Sequence, residues 1–235
     1  MGGERRLGLW RMVADRVDGK VADAWPNAAC LVCVAVLDVD AAALTLRGDV
    51  PSQELLAASD SWAEVLVARQ YTVGEGPGVD AFLDGGPVLV ADLCAEQARW
   101  PGFAGEAMRA GAGAVFAFPL QHGGLRFGVL ELFRQRPGGL TPTEVADAAL
   151  LASLAMDAVL DDADEAHRTG RDWPRPMDSY QDVNMAIGMV AAQLRISLED
   201  ALVRLRAYAF ATGRSMKDVA TEVLARRVPL DELAE

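Results

Sequence analysis

The sequence predicts an α+β domain, an antiparallel sheet with helices packed on it, followed by a small all-α bundle of three helices. Three observations predict this. Two apolar runs, Ala114 to Gln121 and Leu125 to Phe133, are joined by His122-Gly123-Gly124, a hairpin signal because glycine supplies the positive φ that tight hairpin turns demand. Thr141-Pro142-Thr143-Glu144 combines an N-cap Thr, Pro at the first helical position and Glu three residues on, which marks a helix start. From Tyr180 onward nothing strand-like remains, and apolar residues recur three and four apart.

Taken in order, Leu9, Val13, Val17 and Val21 form a helical stripe within Arg5 to Trp25, ended by Trp25-Pro26-Asn27. Ala29 to Leu37, Ala43 to Leu46 and roughly Glu54 to Ala58 read as strands, and Ser61 to Gln70 as a helix. Gly74-Glu75-Gly76-Pro77-Gly78 breaks regular structure, either as a turn before a helix or as backbone that lines an anion. Pro87 to Ala91 reads as a short strand and Trp100-Pro101-Gly102 as a turn. The helix from Thr141 should reach about Leu160. Its alanine-rich stripe, Val145, Ala149, Ala152, Met156 and Val159, packs either on its own sheet or in a dimer seam. Asp161, Asp162, Asp164 and Glu165 oppose the helix dipole, so the end should fray. With Gly170, Pro174 and Pro176 they place a linker at 162–178, between domains at 1–161 and 179–235.

The three tail helices carry Val183, Ile187, Val190 and Leu194, then Leu198, Leu202, Leu205 and Ala209, then Met216, Val219, Ala220 and Val223. Ser197-x-x-Asp200 and Ser215-x-x-Asp218 cap the second and third, and Gly213 ends the second.

At 235 residues, 51% hydrophobic and 24% charged, the chain is that of a folded globular protein. Its longest apolar run, Ala28 to Leu37, has ten residues, against the roughly 20 of a membrane helix. Met-Gly-Gly-Glu-Arg-Arg lacks a signal-peptide core, and Arg6 breaks the myristoylation pattern, so a cytoplasmic location and no membrane partner are expected. Three cysteines, Cys30, Cys33 and Cys94, make no disulfide framework. On a strand Cys30 and Cys33 would point to opposite faces and grip no metal. His122 and His167 are the only histidines, and no nucleophile elbow, phosphate loop or zinc-helix motif is present. Neither enzyme activity nor any catalytic or metal site is expected, and no cofactor, while any cofactor-binding residues stay open.

Net charge is −12, but the excess is N-terminal: residues 1–165 carry 12 basic against 24 acidic side chains, and residues 166–235 carry ten of each. Within Met185 to Val228 seven basic residues face four acidic ones, a local excess suited to a polyanion. The asymmetry implies two modules with different partners.

The phrases Gln70-Tyr71-Thr72-Val73-Gly74-Glu75-Gly76-Pro77, Asp92-Leu93, Arg99-Trp100-Pro101-Gly102-Phe103, Phe118-Pro119-Leu120 and Gly128-Val129-Leu130 resemble the GAF domains of the GAF-ANTAR regulators of high-GC bacteria. Ala186-Ile187-Gly188-Met189-Val190, Ser197 with Ala201, Leu205-Arg206, Ala209, Gly213-Arg214 and Asp218-Val219-Ala220 resemble the ANTAR domain itself. The resemblance implies a transcription antiterminator, usually a homodimer, whose ANTAR domain binds paired hairpins in a nascent leader RNA and prevents a terminator from forming. It also implies a GAF domain that senses a small molecule of unknown identity or serves only to dimerise. Cyclic nucleotides are disfavoured, because the asparagine-lysine-phenylalanine-aspartate-glutamate signature is missing and neither Asn27 nor Asn184 precedes Lys. Gly78 stands where related GAF domains commonly carry Cys, which removes a thiol. Arg195 stands where ANTAR domains more often have Gly.

Candidate RNA-binding residues are Ala186, Gly188, Arg204, Arg206, Tyr208, Arg214 and Lys217. Gly188 falls about 130° from its helix's apolar stripe, where it is either a tolerated surface glycine or a point of close approach for RNA. Singly the four cations read as solvated charges; as a group they can bridge phosphates, and guanidinium planes can stack on splayed bases. Tyr208 either stacks on a base or edges the core. The alternative function is a GAF-based ligand-sensing or oligomerisation protein whose helical tail binds a protein partner.

Overall fold

The apolar run from Ala28 to Leu37, expected as a strand, forms most of a helix in the computed structural model, which describes residues 2–17, 24–47, 53–170, 180–229 and 233. Helix α1 covers Gly2–Val17 and α2 covers Ala24–Val36. Trp25 and Pro26 lie in the first turn of α2, where a missing backbone N–H costs nothing, so the proline that seemed to end one helix opens the next. Cys30 and Cys33 are therefore one turn apart on a helix, not on opposite faces of a strand, and both are buried. Burial pushes both thiols up, that of Cys33 to about 12.

Five strands follow: β1 (Ala41–Arg47), β2 (Gln53–Ala58), β3 (Val88–Val90), β4 (Ala114–His122) and β5 (Leu125–Arg134). They form one sheet in the order β2-β1-β5-β4-β3 with every neighbouring pair antiparallel. The β4–β5 hairpin turns through Gly123 and Gly124, both at positive φ, as two-residue hairpins of this twist require. Alternation along the strands builds two cores. Leu44, Phe116, Phe118, Leu130 and Leu132 face α1, α2 and helix α6 (Pro142–Thr169), while Ala43, Leu55, Val115, Val129 and Phe133 face the opposite layer.

That opposite layer holds α3 (Ser61–Val73), α4 (Pro77–Asp84) and α5 (Pro101–Arg109). Helices α4 and α5 were not expected; each begins on a proline of a segment read as a break or turn. Gly74 caps α3 in the left-handed conformation, and Gly78 donates its N–H to Gln70 Oε1 at 2.9 Å, so this glycine run is the turn before a helix.

Helix α6 has the expected capping box at Thr141 and Glu144 but does not stop near Leu160; it runs on through the acidic residues to a left-handed cap at Gly170. Opposing the dipole costs only a few tenths to about 1 kcal/mol and only in a last turn, and the actual last turn carries His167 and Arg168, with Ala166 buried beneath it. Pro174 and Pro176 lie outside the described residues. Ala152, Met156 and Val159 pack in their own domain's core and Ala149 is exposed, so the stripe rests on its own sheet. Arg5 pairs with Asp147, and Arg6 with Asp157 at 2.5 Å, tying α1 to α6.

The tail is three helices, α7 (Gln181–Leu194), α8 (Leu198–Thr212) and α9 (Met216–Leu224). Ser197 and Ser215 accept hydrogen bonds from the backbone N–H groups of Asp200 and Asp218, at 3.0 and 3.1 Å, as their spacing predicted. Val183, Ile187, Val190, Leu202, Leu205, Val219 and Val223 are all buried, and their core is continuous with that beneath α3. Among the described residues no helix is long and apolar enough to cross a membrane.

Candidate nucleic-acid interface

Sequence spacing puts Arg206 at the edge of its helix's apolar stripe and Lys217 near the start of the third helix, and the fold sets each against an aromatic ring where the tail meets the sheet domain. Arg206 Nε donates to the Tyr71 carbonyl at 2.9 Å, and its guanidinium lies 5.3 Å from the Tyr71 ring centre. Lys217 Nζ lies 4.7 Å from the Tyr180 ring centre. The two rings meet edge to face at 4.6 Å, a favoured aromatic geometry. The contacts thus run from Arg206 of α8 to Tyr71 of α3, on to Tyr180 at the start of α7 and then to Lys217 of α9, and the first two of them join the tail to the sheet domain at a seam. Burial lowers the pKa of Arg206 and of Lys217; Tyr71 opposes the shift at Arg206, and Glu54 and Glu64 oppose it at Lys217. Burial also pushes Tyr71 up to about 12, against the charges of Arg206 and Arg47, and raises Tyr180. Glu54 accepts the Tyr180 backbone N–H at 3.0 Å, fixing the start of α7 to β2.

The remaining predicted residues are scattered. Arg204 Nη1 donates to the Leu233 carbonyl at 2.8 Å, and Arg214 Nη1 pairs with Glu222 at 2.7 Å. That pair raises Arg214 and lowers Glu222 from their ordinary values through a side-chain hydrogen bond. Tyr208 is half-buried, at the edge of the bundle core. A Cβ on Gly188 would meet nothing within 4 Å, so no packing among the described residues demands this glycine. Ala186 is a correction: it is fully buried inside the bundle, because it neighbours Ile187 on the inward face of α7, and it offers no surface to RNA. The four cations therefore do not gather on one open face. Two are sequestered at the seam and two are held by acceptors in the tail.

Spacing missed one residue of interest. Phe210 is 59% exposed on α8, four residues from both Arg206 and Arg214. It stands between two clefts that separate α8 from α3. One, about 250 Å³, is lined by Val65, Arg69, Glu106 and Arg214; the other, about 460 Å³, by Val73, Glu75, Arg206 and Ala207. Its signal was in the sequence: an aromatic residue lying off the stripe of Leu198, Leu202, Leu205 and Ala209. Tyr71 and Tyr180 gave no such signal, since their partners lie far away in the chain. Among the described residues no cluster of three potential metal ligands occurs.

Comparisons agree with this division of the chain. The GAF domain model matches residues 27–159, more than half of the chain, and the ANTAR domain model matches residues 175–224. No curated protein matches. Among solved structures, the GAF domain of a phosphoenolpyruvate-protein phosphotransferase from Coxiella burnetii is 18% identical with a TM-score of 0.53, covering 71% of this chain and 97% of its own. The corresponding GAF domain from Acinetobacter is 13% identical with a TM-score of 0.51, covering 70% of this chain and 96% of its own. The free methionine-R-sulfoxide reductase of Neisseria meningitidis is 16% identical with a TM-score of 0.50, covering 72% of this chain and 93% of its own. At these identities the likeness shows the fold alone. GAF and ANTAR are regulatory domains, the first sensing or dimerising and the second RNA-binding. The chain belongs to the GAF domain family and carries, C-terminal to that domain, an RNA-binding ANTAR domain.

Proposed function

We propose that the protein is a transcription antitermination regulator whose ANTAR helices bind paired hairpins of a nascent leader RNA, and that it acts in the cytoplasm as a homodimer. The observation that carries this reading is the intact, serine-capped three-helix tail matching the ANTAR model. Gly188 supports it, since its open backbone position costs about 1 kcal/mol of helix stability with no return among the described residues. Gly188, Arg204, Tyr208 and Arg214 are the residues we assign to RNA from the outward surface. Phe210 adds a stacking platform for an unpaired base. Arg206 and Lys217 join them only when α8 and α9 leave the seam, so the described arrangement is the one that binds RNA more weakly.

Charge reversal tests this. Arg204→Glu and Arg214→Glu, which leave the seam intact, should each weaken binding to a two-hairpin leader RNA and lower the slope of log affinity against log salt by about one, as one phosphate contact fewer releases fewer counterions. Gly188→Leu should weaken binding by bulk with the slope unchanged and helicity by circular dichroism intact. If all three variants bind as the parent does, the tail does not bind RNA through this surface, and a protein partner of the tail becomes the better account.

A further inference from the structure

Helix α3 has a second side that the sheet does not use. Ala63, Leu66, Val67 and Gln70 are among its buried positions, whereas Val65, Ala68, Arg69 and Thr72 fall at 0, +3, +4 and +7 on the other side and line the cleft of about 250 Å³ against α8. Two apolar side chains from different domains meet solvent in this cleft, Val65 at 43% and Phe210 at 59% exposed. A cavity of about 150 Å³ already holds benzene, so the cleft has room for one aromatic ring with a short polar arm. The charge in its wall is one-sided. Arg69 and Arg109 share a single carboxylate, that of Glu106, which lines the cleft beside Arg69. Neither guanidinium pairs with a second carboxylate among the described residues.

These walls specify what fits. Arg69 gives Nη1 to Glu106, while its Nε is shielded from solvent and has no acceptor among the described residues. The side chain as a whole is 40% exposed, so it can turn the Nε edge toward the cleft, and a guanidinium edge takes a carboxylate through two parallel hydrogen bonds. Beside it, Phe210 offers a flat apolar face on which an aromatic ring packs offset or edge-on. We propose that the cleft between α3 and α8 binds a small aromatic carboxylate, with the ring against Phe210 and Val65 and the carboxylate on Arg69. Such an occupant touches the sheet domain through Arg69 and Val65 and the tail through Phe210, so it holds α8 against α3. It also covers the ring assigned to an unpaired base and so competes with RNA, a consequence that, unlike the site itself, rests on the RNA-binding reading.

Isothermal calorimetry on the full chain, with no RNA present, tests the site separately from RNA binding. The probes are phenylacetate and indole-3-acetate, with acetate as a carboxylate lacking the ring and benzyl alcohol as a ring lacking the carboxylate. At least one aromatic acid should bind at least about tenfold more tightly than acetate and benzyl alcohol, and its affinity should fall by at least about tenfold in Phe210→Ala and in Arg69→Met. Phe210 is exposed and Glu106 keeps Arg109 as a partner, so both variants should fold, which circular dichroism checks. No heat from either aromatic acid at millimolar concentration would overturn the proposal. Binding that survives in either folded variant would place the site elsewhere, and equal binding of acetate or benzyl alcohol would refute the ligand class.

Discussion

Replacing Tyr71 by Leu, a change in the sheet domain and far in sequence from the tail, should raise the affinity of the full chain for RNA. Tyr71 makes two contacts across the seam that leucine cannot: the edge-to-face pair with Tyr180 at 4.6 Å and the cation–ring contact with Arg206 at 5.3 Å. The first contributes about 0.5–1.5 kcal/mol beyond its buried area. The second contributes about 0.5–2 kcal/mol at a partly desolvated site. Leucine keeps most of the apolar contact, and Arg206 keeps its bond to the residue-71 carbonyl, so the net loss is about 1–3 kcal/mol, or roughly 5–150-fold in the equilibrium between docked and released helices. If RNA binds only the released tail, apparent affinity rises by up to that factor, since it scales with the competent fraction. Filter binding to a two-hairpin RNA reads the affinity, and hydrogen exchange at α8 and α9 reads the release. Faster exchange in α8 with unchanged or weaker RNA binding would refute the reasoning, because it would mean that the cations at the seam are not those RNA needs.

Arg195 ends α7 at φ +56, a left-handed conformation costing about 1–2 kcal/mol for a residue with a side chain; after about 0.5–1 kcal/mol for glycine's extra freedom when unfolded, Arg195→Gly should stabilise the tail by about 0.5–1 kcal/mol, read as a higher urea midpoint. Burial raises the Glu131 carboxyl above its ordinary value, with Gln70 and Arg47 opposing, so the folded chain holds this proton more tightly than the unfolded one. That contribution is complete below the unfolded pKa and is lost as pH rises through the raised one; urea midpoints from pH 4 to 8 should therefore fall less in Glu131→Gln than in the parent, and parallel profiles would count against it. Ala152→Glu places a charge in the domain's own core and should cost at least about 3 kcal/mol, whereas Ala149→Glu should leave the urea midpoint within about 0.5 kcal/mol of the parent. Light scattering of Ala149→Glu then asks about the dimer seam: an unchanged mass moves it off this face of α6.

What the sequence made legible was local. Capping signals at Thr141, Ser197 and Ser215, the diglycine hairpin and the tail stripes all act within a few residues, and they appear as read except for Leu198, which the second stripe included and which is exposed. The segment Ala28–Leu37 failed because a run apolar on every side has no period: even its outer face, where Leu31 and Ala35 are exposed, carries no polar residue to mark the helical repeat. Helices α4 and α5 were hidden by Pro77 and Pro101, which break a helix from within but are at home at its first position. For the candidate site, helical spacing put Arg206 at the edge of its helix's stripe and Lys217 near the start of the third helix. It carried no information on what else would cover them, since Tyr71 is 135 residues away from Arg206.

The most direct test of the central claim is titration of the full chain with an RNA carrying two adjacent hairpins, beside each hairpin alone and an unstructured strand of the same length, at fixed salt. Tighter binding to the paired hairpins than to either single hairpin, with the unstructured strand weakest, is the predicted result. Equal affinity for all four RNAs, or no binding to any, would contradict it.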